Sequence, residues 1–340
     1  MIPPSRPAIK EITEETISPI NEKPTLQKQN INKENLKEIV TIVIPTLNEA
    51  QAIGKVIQEL KELGYKNILV VDGKSTDGTP EIAREMGAKV IFQEGKGKAD
   101  AIRTAFKHIN TEFMLVMDGD YTYPAKHIEQ MLEMAINREL DEVIGVREFS
   151  ENQSMRFKFG NKALTKFFNL LFGTGLKDVL SGMYLVRVDA IRDVAWETKG
   201  FSIESEIVAH VASQSGKVGE VPIEYRKRIG EKKLGVKHGF SIAKDIVRLA
   251  WHYNPTFFVF LLGSLLLIPG LILGAWVAYR YFIEGVKHHI KGLIAMTLTT
   301  TGLQSLMLAI LALYMKRVEY RTNHKLRDVE KVLNKILETN

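Results

Sequence analysis

The chain has no cysteine, so disulfide staples and thiolate metal sites are excluded. It also lacks a strong excess of either charge: 46 Lys and Arg against 40 Asp and Glu leave a net +6 over 340 residues. The basic residues gather beside apolar segments instead of on an aromatic platform. That pattern suits a membrane surface or an anionic substrate and argues against nucleic acid. No signal-like apolar segment follows Met1. No glycine fingerprint follows the first strand pattern, where Pro45-Thr46-Leu47-Asn48-Glu49 stands instead, so the dinucleotide-binding motif of dehydrogenases is excluded.

What is present divides into segments. Residues 1–38 mix Pro, Asn, Glu and Lys with isolated apolar residues and read as a flexible tail without a core. In residues 39–239, short apolar strands alternate with helical patterns over Gln51 to Leu63, Pro80 to Met86, Lys98 to His108, Pro124 to Asn137 and Phe159 to Phe172. This alternation predicts an α/β domain with a mostly parallel sheet flanked by helices. Residues 240–254 carry Ile242, Ile246, Leu249 and Trp251 with Lys244 and Arg248 between them, which predicts an amphipathic helix, interfacial or on the protein surface.

Two segments, 255–281 and 292–315, predict a transmembrane hairpin, because Thr256 to Tyr279 and Gly292 to Met315 contain no charged residue. Small residues Gly263, Ser264 and Gly274 favour close approach of the two helices, and Pro269-Gly270 favours a kink. The connector, 282–291, and its flanks hold Arg280, Lys287 and Lys291, against Lys232, Lys233, Lys237, Lys244, Arg248, Lys316, Arg317, Arg321, Lys325 and Arg327 outside the hairpin. The positive-inside rule therefore predicts a multi-pass protein of the cell membrane, with the α/β domain and the 316–340 helix both cytoplasmic. In that last helix Leu326, Val329, Val332, Leu333, Ile336 and Leu337 recur at helical spacing and are expected to pack on the domain or on another subunit.

Three strand-like runs break into polar turns: Val40 to Glu49, Asn67 to Thr79, and Val116-Met117-Asp118-Gly119-Asp120. Ligands in open α/β sheets bind at such strand ends. Asp118 and Asp120, one residue apart, are either two hard ligands for one divalent cation or a plain Asp-Gly-Asp turn. Gly95-Lys96-Gly97-Lys98 before a helix is either a phosphate cradle or a tight turn. Glu204 and Glu206 open a helix, where acidic residues also serve as dipole partners.

Taken together, these motifs resemble the family 2 glycosyltransferases of GT-A (Rossmann-like) fold, and within them the polyprenyl-phosphate hexose synthases typified by dolichyl-phosphate mannose synthase. The resemblance runs from about Val40 to Leu234. It implies inverting, metal-dependent transfer of a mannose- or glucose-type hexose from a GDP- or UDP-hexose to dolichyl or another polyprenyl phosphate. It also implies Mg²⁺ or Mn²⁺ on Asp118 and Asp120, and donor contacts from Pro45, Asn48, Glu49, Asp72, Lys98 and Asp118. Acceptor-phosphate contacts from Arg147, Arg156, Ser181 and Lys232 follow as well, with Arg228 and Lys233 in a basic loop over both phosphates. The catalytic set so implied is Asp118, Asp120, Arg147, Arg156 and Arg228. The chain departs from the family at Gly73, where a second Asp is common, at Gly160, near a position that carries Ser, and at Thr122, where a third metal ligand such as Gln can stand. Two alternatives remain at the level of sequence: a polysaccharide synthase-like enzyme of the same family acting on another acceptor, and a catalytically silent nucleotide-sugar-binding subunit. The processive synthases carry a Gln-x-x-Arg-Trp-type element and further spans, neither of which is seen near Trp251.

Overall fold

The computed structural model describes residues 33–148, 155–198, 202–214, 216–230 and 237–339. Its strands are β1 Val40–Thr46, β2 Ile68–Asp72, β3 Lys89–Phe92, β4 Phe113–Val116, β5 Glu142–Glu148, β6 Tyr184–Arg187 and β7 Val218–Glu224, in the spatial order β3-β2-β1-β4-β6-β5-β7. β1 runs parallel to β2 and β4, β2 to β3, and β5 to β7, while β6 is antiparallel to both β4 and β5. Two reversals restore direction, so the C-terminal ends of β1, β2, β4, β5 and β7 and the start of β6 share one edge. Every strand-end motif read from the sequence therefore converges there.

The strands are covered on both faces, which is why β1 and β2 are continuous apolar runs. Ile42 and Ile44 face one layer, with Ile53, Ile57 and Leu60 of α2 (Ala50–Glu62) and Ile128 and Leu132 of α5 (Ile128–Asn137). Val43 faces the other, with Ile102 and Ala105 of α4 (Lys98–Phe106) and Ile203 and Ile207 of α7 (Ile203–Ser213). Each such Ile, Leu or Val side chain contributes about 1.5–3 kcal/mol of transfer free energy. The short helix α3 (Thr79–Glu85) follows β2, with Pro80 in its first turn, where a missing N–H costs nothing.

The end of the expected tail departs from expectation. Residues Lys33–Glu38 form a helical turn, α1, whose Leu36 is buried in the first core layer, and residues 1–32 lie outside the described set. The apolar side of α8 (Lys237–Tyr253) also has a use that the sequence did not reveal. Ile242, Ile246, Leu249 and Ala250 pack on Phe168 and Leu171 of α6 (Met155–Phe172) and on Val208 of α7, so this face joins the domain instead of the bilayer. Phe240, Val247 and Trp251 remain exposed on α8's other side.

Two helices are long and apolar enough to cross a membrane: α9, Pro255–Phe282, and the first part of α10, His289–Thr339. α9 continues through Pro269 as one helix of 28 residues. The expected break after Met315 is absent: α10 runs on as a single helix of 51 residues. Leu326, Val329 and Leu333 on that extension are exposed and not packed on the domain. The hairpin is joined to the domain by Asn254, whose side-chain amide donates to the Leu171 carbonyl at 2.7 Å, and by Lys316, whose ammonium donates to the Tyr253 carbonyl at 3.1 Å.

Candidate active site

The loops after β1 and β2 are built against each other. Asp72, at the end of β2, is fully buried and accepts hydrogen bonds from Thr46 Oγ1 at 3.0 Å, Ser75 N at 2.8 Å and Ser75 Oγ at 2.6 Å. Asn48 closes the link: its N–H donates to Ser75 Oγ at 2.8 Å and its Oδ1 accepts from Thr76 N at 2.9 Å. Asp72 and Asn48 thus spend their polar atoms shaping the loops in which Pro45 and Glu49 stand. Asn48, Lys74 and Tyr121, in the loops after β1, β2 and β4, hold left-handed φ angles of 53°, 67° and 67°. For residues with a side chain this conformation is sparsely populated, and such strain concentrates where loops bind ligands. At position 73 a Cβ would meet the Thr46 carbonyl and Gln93 Oε1, each at 3.2 Å, so glycine here reflects a close backbone approach.

Asp118 and Asp120 lie just past the end of β4. Gly95 and Gly97, both at left-handed φ, turn the chain so that α4 opens with Lys98 facing them. Lys98 Nζ lies 2.6 Å from Asp118 Oδ1 and 2.5 Å from Glu204 Oε1. Burial alone would favour loss of the Lys98 proton, but Asp118 and Glu204 reverse this and hold its pKa above the usual lysine range. Glu204 is pushed up by its own burial, an effect that Lys98 opposes. Glu204 therefore faces Lys98 rather than capping α7. Glu206 is not a cap either, since it accepts from Thr198 N at 3.0 Å and Thr198 Oγ1 at 2.6 Å and ties down the preceding loop.

Asp120 is nearly buried and faces Arg228, whose Nη1 is 2.8 Å from Asp120 Oδ2 and whose Nη2 is 2.6 Å from Glu49 Oε1. The segment after β7 carries Arg228 across the site like a strap: Arg226 N donates to the Thr122 carbonyl at 2.9 Å and Ile229 N to the Asp120 carbonyl at 3.1 Å. Thr122 donates through both N and Oγ1 to Asp120 Oδ1. Burial and the like charge of Asp118 raise the Asp120 pKa, against the pull of Thr122 and Arg228. Among the described residues no group of three or more His, Cys, Asp or Glu could hold a metal by itself. Two carboxylates on one loop fit a hard divalent cation only if its other ligands come from a bound diphosphate and water.

The model of the family described as glycosyl transferase family 2 matches residues 41–194, and the chain is 32% identical to Glycosyltransferase AglJ of Haloferax volcanii over 81% of its own length and 93% of that protein's. The chain belongs to glycosyltransferase family 2. It is also 34% identical to a dolichyl-phosphate hexose transferase of Haloferax volcanii, covering 62% of this chain and 93% of the relative. Among solved structures, the glucosyl-3-phosphoglycerate synthase from Mycobacterium tuberculosis, crystallised with Mn²⁺, UDP-glucose and phosphoglyceric acid, has TM-score 0.55 at 18% identity. That match covers 65% of this chain and 82% of the synthase. At this identity it bears on the fold, a mostly parallel GT-A-like sheet flanked by helices.

The transferase has a second, adjacent cluster. Arg147, at the end of β5, donates from Nε to Asp178 Oδ2 and from Nη2 to Asp178 Oδ1, both at 2.7 Å. It also donates to Asn161 Oδ1 and the Leu180 carbonyl. Burial would raise the Asp178 pKa, but Arg147 and Asn161 outweigh it and hold the carboxyl below the usual range. Ser181 Oγ donates to the Gly145 carbonyl at 2.5 Å, and Gly182 N donates to Tyr123 Oη at 2.8 Å. A Cβ at Gly182 would lie 2.3 Å from Asp118 Oδ2, so glycine lets this segment pass close to the Asp118 carboxylate. Arg156 stands in the first turn of α6, but its side chain lies outside the described residues, as do Lys232 and Lys233. Tyr123 and Tyr225, packed edge to face at 5.2 Å, wall this cluster and were not singled out by sequence. Their only signal was position, each just beyond a strand-end motif.

Proposed function

We propose that this transferase moves a hexose from a nucleotide diphosphate sugar, GDP- or UDP-linked, to dolichyl or another polyprenyl phosphate, with inversion at the anomeric carbon. The observation that carries the reading is the adjacency, on one sheet edge, of the Asp118/Asp120 pair with its cations Lys98 and Arg228, and the Arg147–Asp178 cluster. The name of the dolichyl-phosphate hexose transferase relative supports the same acceptor class. Pro45 and Glu49 line the nucleotide side, in loops that Asn48 and Asp72 shape. Asp118 and Asp120 would hold Mg²⁺ or Mn²⁺, which when bound would supply positive charge against the departing diphosphate.

The acceptor is a phosphomonoester, largely dianionic at neutral pH, so its oxygen attacks without a strong general base. As its bond to the anomeric carbon forms, the bond to the donor diphosphate breaks and that anion leaves with the electron pair. What the protein supplies is positive charge that lets two anions meet. Arg228 exchanges Asp120 and Glu49 for donor diphosphate. Arg147, fixed by Asp178, presents the acceptor side together with Arg156, Ser181 and Lys232.

The helices α9 and α10 cross the membrane with the α/β domain on the cytoplasmic side, and Phe240, Val247 and Trp251 of α8, interleaved with Lys244 and Arg248, rest on the lipid headgroups. The test is incubation of detergent-purified protein with Mg²⁺, a short dolichyl phosphate and a panel of UDP- and GDP-sugars, read by mass spectrometry. The expected result is one lipid-phosphate-hexose, lost with chelator. Bound nucleotide sugar without lipid product from any donor would overturn the acceptor assignment.

A further inference from the structure

The two long helices do not approach each other equally closely along their length. Near the domain they are packed closely: a Cβ at Gly302 would meet Leu267 N at 2.5 Å, one at Gly263 would meet Leu306 Cδ2 at 3.0 Å, and one at Gly270 would meet Thr299 N at 2.7 Å. Beyond Gly270 the packing loosens. The nearest atom to a Cβ at Gly274 is Ala295 Cβ at 3.8 Å, and at Gly292 it is Val277 Cγ1 at 3.6 Å. A cavity of about 770 Å³ opens here between α9 and α10, with a floor of Gly270, Gly274, Ala278 and Ala295 and with Lys287, His288 and His289 at one end.

That end is cationic and unsatisfied. Arg280 is committed to Glu284, four residues on, and Lys291 lies over the Trp276 ring at 4.6 Å. Lys287 makes no ion pair among the described residues, and is exposed. His288 is stacked on Trp276, with ring centroids 4.9 Å apart, and its Nε2 is buried with no hydrogen-bond partner among the described residues. A buried polar nitrogen without a partner costs about 1–3 kcal/mol, so it is a place where a ligand atom is wanted. The geometry points to an amphiphile: we propose that the groove holds one hydrocarbon chain of an anionic phospholipid from the leaflet opposite the α/β domain, its phosphate bound by Lys287, His288 and His289. The chain fills apolar volume that neither helix fills, and the phosphate supplies acceptors for one ammonium and two imidazoles. α9, with 28 residues, is about 42 Å long, so this site is separated from the transfer site by the full membrane thickness. It is a lipid site distinct from the acceptor.

The inference rests on the membrane-anchor reading of the hairpin, and the experiment separates the two. Wild-type protein is reconstituted into nanodiscs of phosphatidylcholine containing a minor fraction of phosphatidylglycerol, incorporation is measured, and native mass spectrometry after detergent release counts retained lipid. The expected result is full incorporation with one phosphatidylglycerol per chain. Lys287→Ala/His288→Ala incorporates equally but retains about tenfold less phosphatidylglycerol, as for loss of a charge-assisted contact. Gly274→Leu, which fills the groove, loses it as well, while both variants keep wild-type transfer of sugar. Failure to incorporate would overturn the anchor and the groove together. Incorporation with equal retention of phosphatidylglycerol by wild type and the rim variant, or equal retention of phosphatidylcholine, would overturn the groove alone. A dimer mass in place of the lipid would assign the groove to a second copy of the chain and overturn it too.

Discussion

The α/β domain and the helical hairpin solve opposite solvation problems with the same residue types. In the domain, Ile, Val and Leu are inside, and the charges that remain buried are paired: Lys98 with Asp118 and Glu204, Arg228 with Asp120 and Glu49, Arg147 with Asp178. In the hairpin the large apolar side chains are outside, with 11% of the most apolar window of α9 buried and 17% of that of α10, while glycine sits between the helices. The difference teaches what each region depends on. Charge pairing governs the first, and on the membrane-anchor reading side-chain size governs the second, because lipid gives no hydrophobic reward for helix association.

Breaking the charge arrangement has the largest effect on activity. Asp120→Ala is expected to lower the rate of lipid-phosphate-hexose formation by about 10³-fold or more, with Asp118→Ala close behind, measured at saturating donor. Full activity of Asp120→Ala in the presence of chelator would sink the metal reading. Arg156→Ala is expected to raise the lipid-phosphate KM and leave donor affinity unchanged.

Removing one member of a buried pair is next. Asp178→Asn leaves the Arg147 guanidinium without its counter-charge and is expected to cost about 3 kcal/mol in thermal or denaturant unfolding. The sign with pH follows from the lowered Asp178 pKa. Its contribution is fully present above the unfolded carboxyl value of about 3.9 and is lost as pH falls through the lower folded value, so the gap between wild type and Asp178→Asn closes only in acid. A gap that stayed constant down to that range would contradict the pairing.

Size alone is tested at Gly302→Leu, which places a side chain against the Leu267 backbone and is expected to cost about 1–3 kcal/mol in detergent, without changing any charge. Gly160→Leu, where a Cβ meets nothing within 4 Å, is the matched control and should be near neutral.

The smallest effect is the exception inside the domain. Glu142 is buried, its two carboxylate oxygens have no hydrogen-bond partner among the described residues, and burial, with Asp141 nearby, raises its pKa well above the usual range. A raised acid keeps its proton in the fold at pH values where the unfolded chain has lost it. Wild-type stability therefore declines as pH rises from about 4.3 toward the folded value, and Glu142→Gln removes that part of the slope. Its expected gain is about 2 °C in Tm at mildly alkaline pH and none near pH 4.

Particular residues show how far the sequence could be read. Asp118, Asp120, Lys98 and Arg147 stand at strand ends or in a turn before a helix, Arg228 was implied only by the family resemblance, and the structure brings all five to one edge. Their partners were not legible. Nothing in the spacing tells that Glu204 reaches Lys98 across 106 positions, or that Asp72 spends its oxygens on Ser75 and Thr46. The apolar stripe of α8 was legible as amphipathic, but periodicity reports only that a face is apolar. It does not report whether lipid or α6 covers it.

By itself the sequence determined the element types, the alternation that makes a parallel sheet, and the two uncharged runs, because strand and helix periodicity and segment length are local properties of the chain. Tertiary structure decided the pairing of charges, the use of α8 as a brace for the domain, the unbroken α10 and the open groove beside Gly274. Each of these depends on which surfaces meet in space, and that is fixed by packing between residues far apart in the chain.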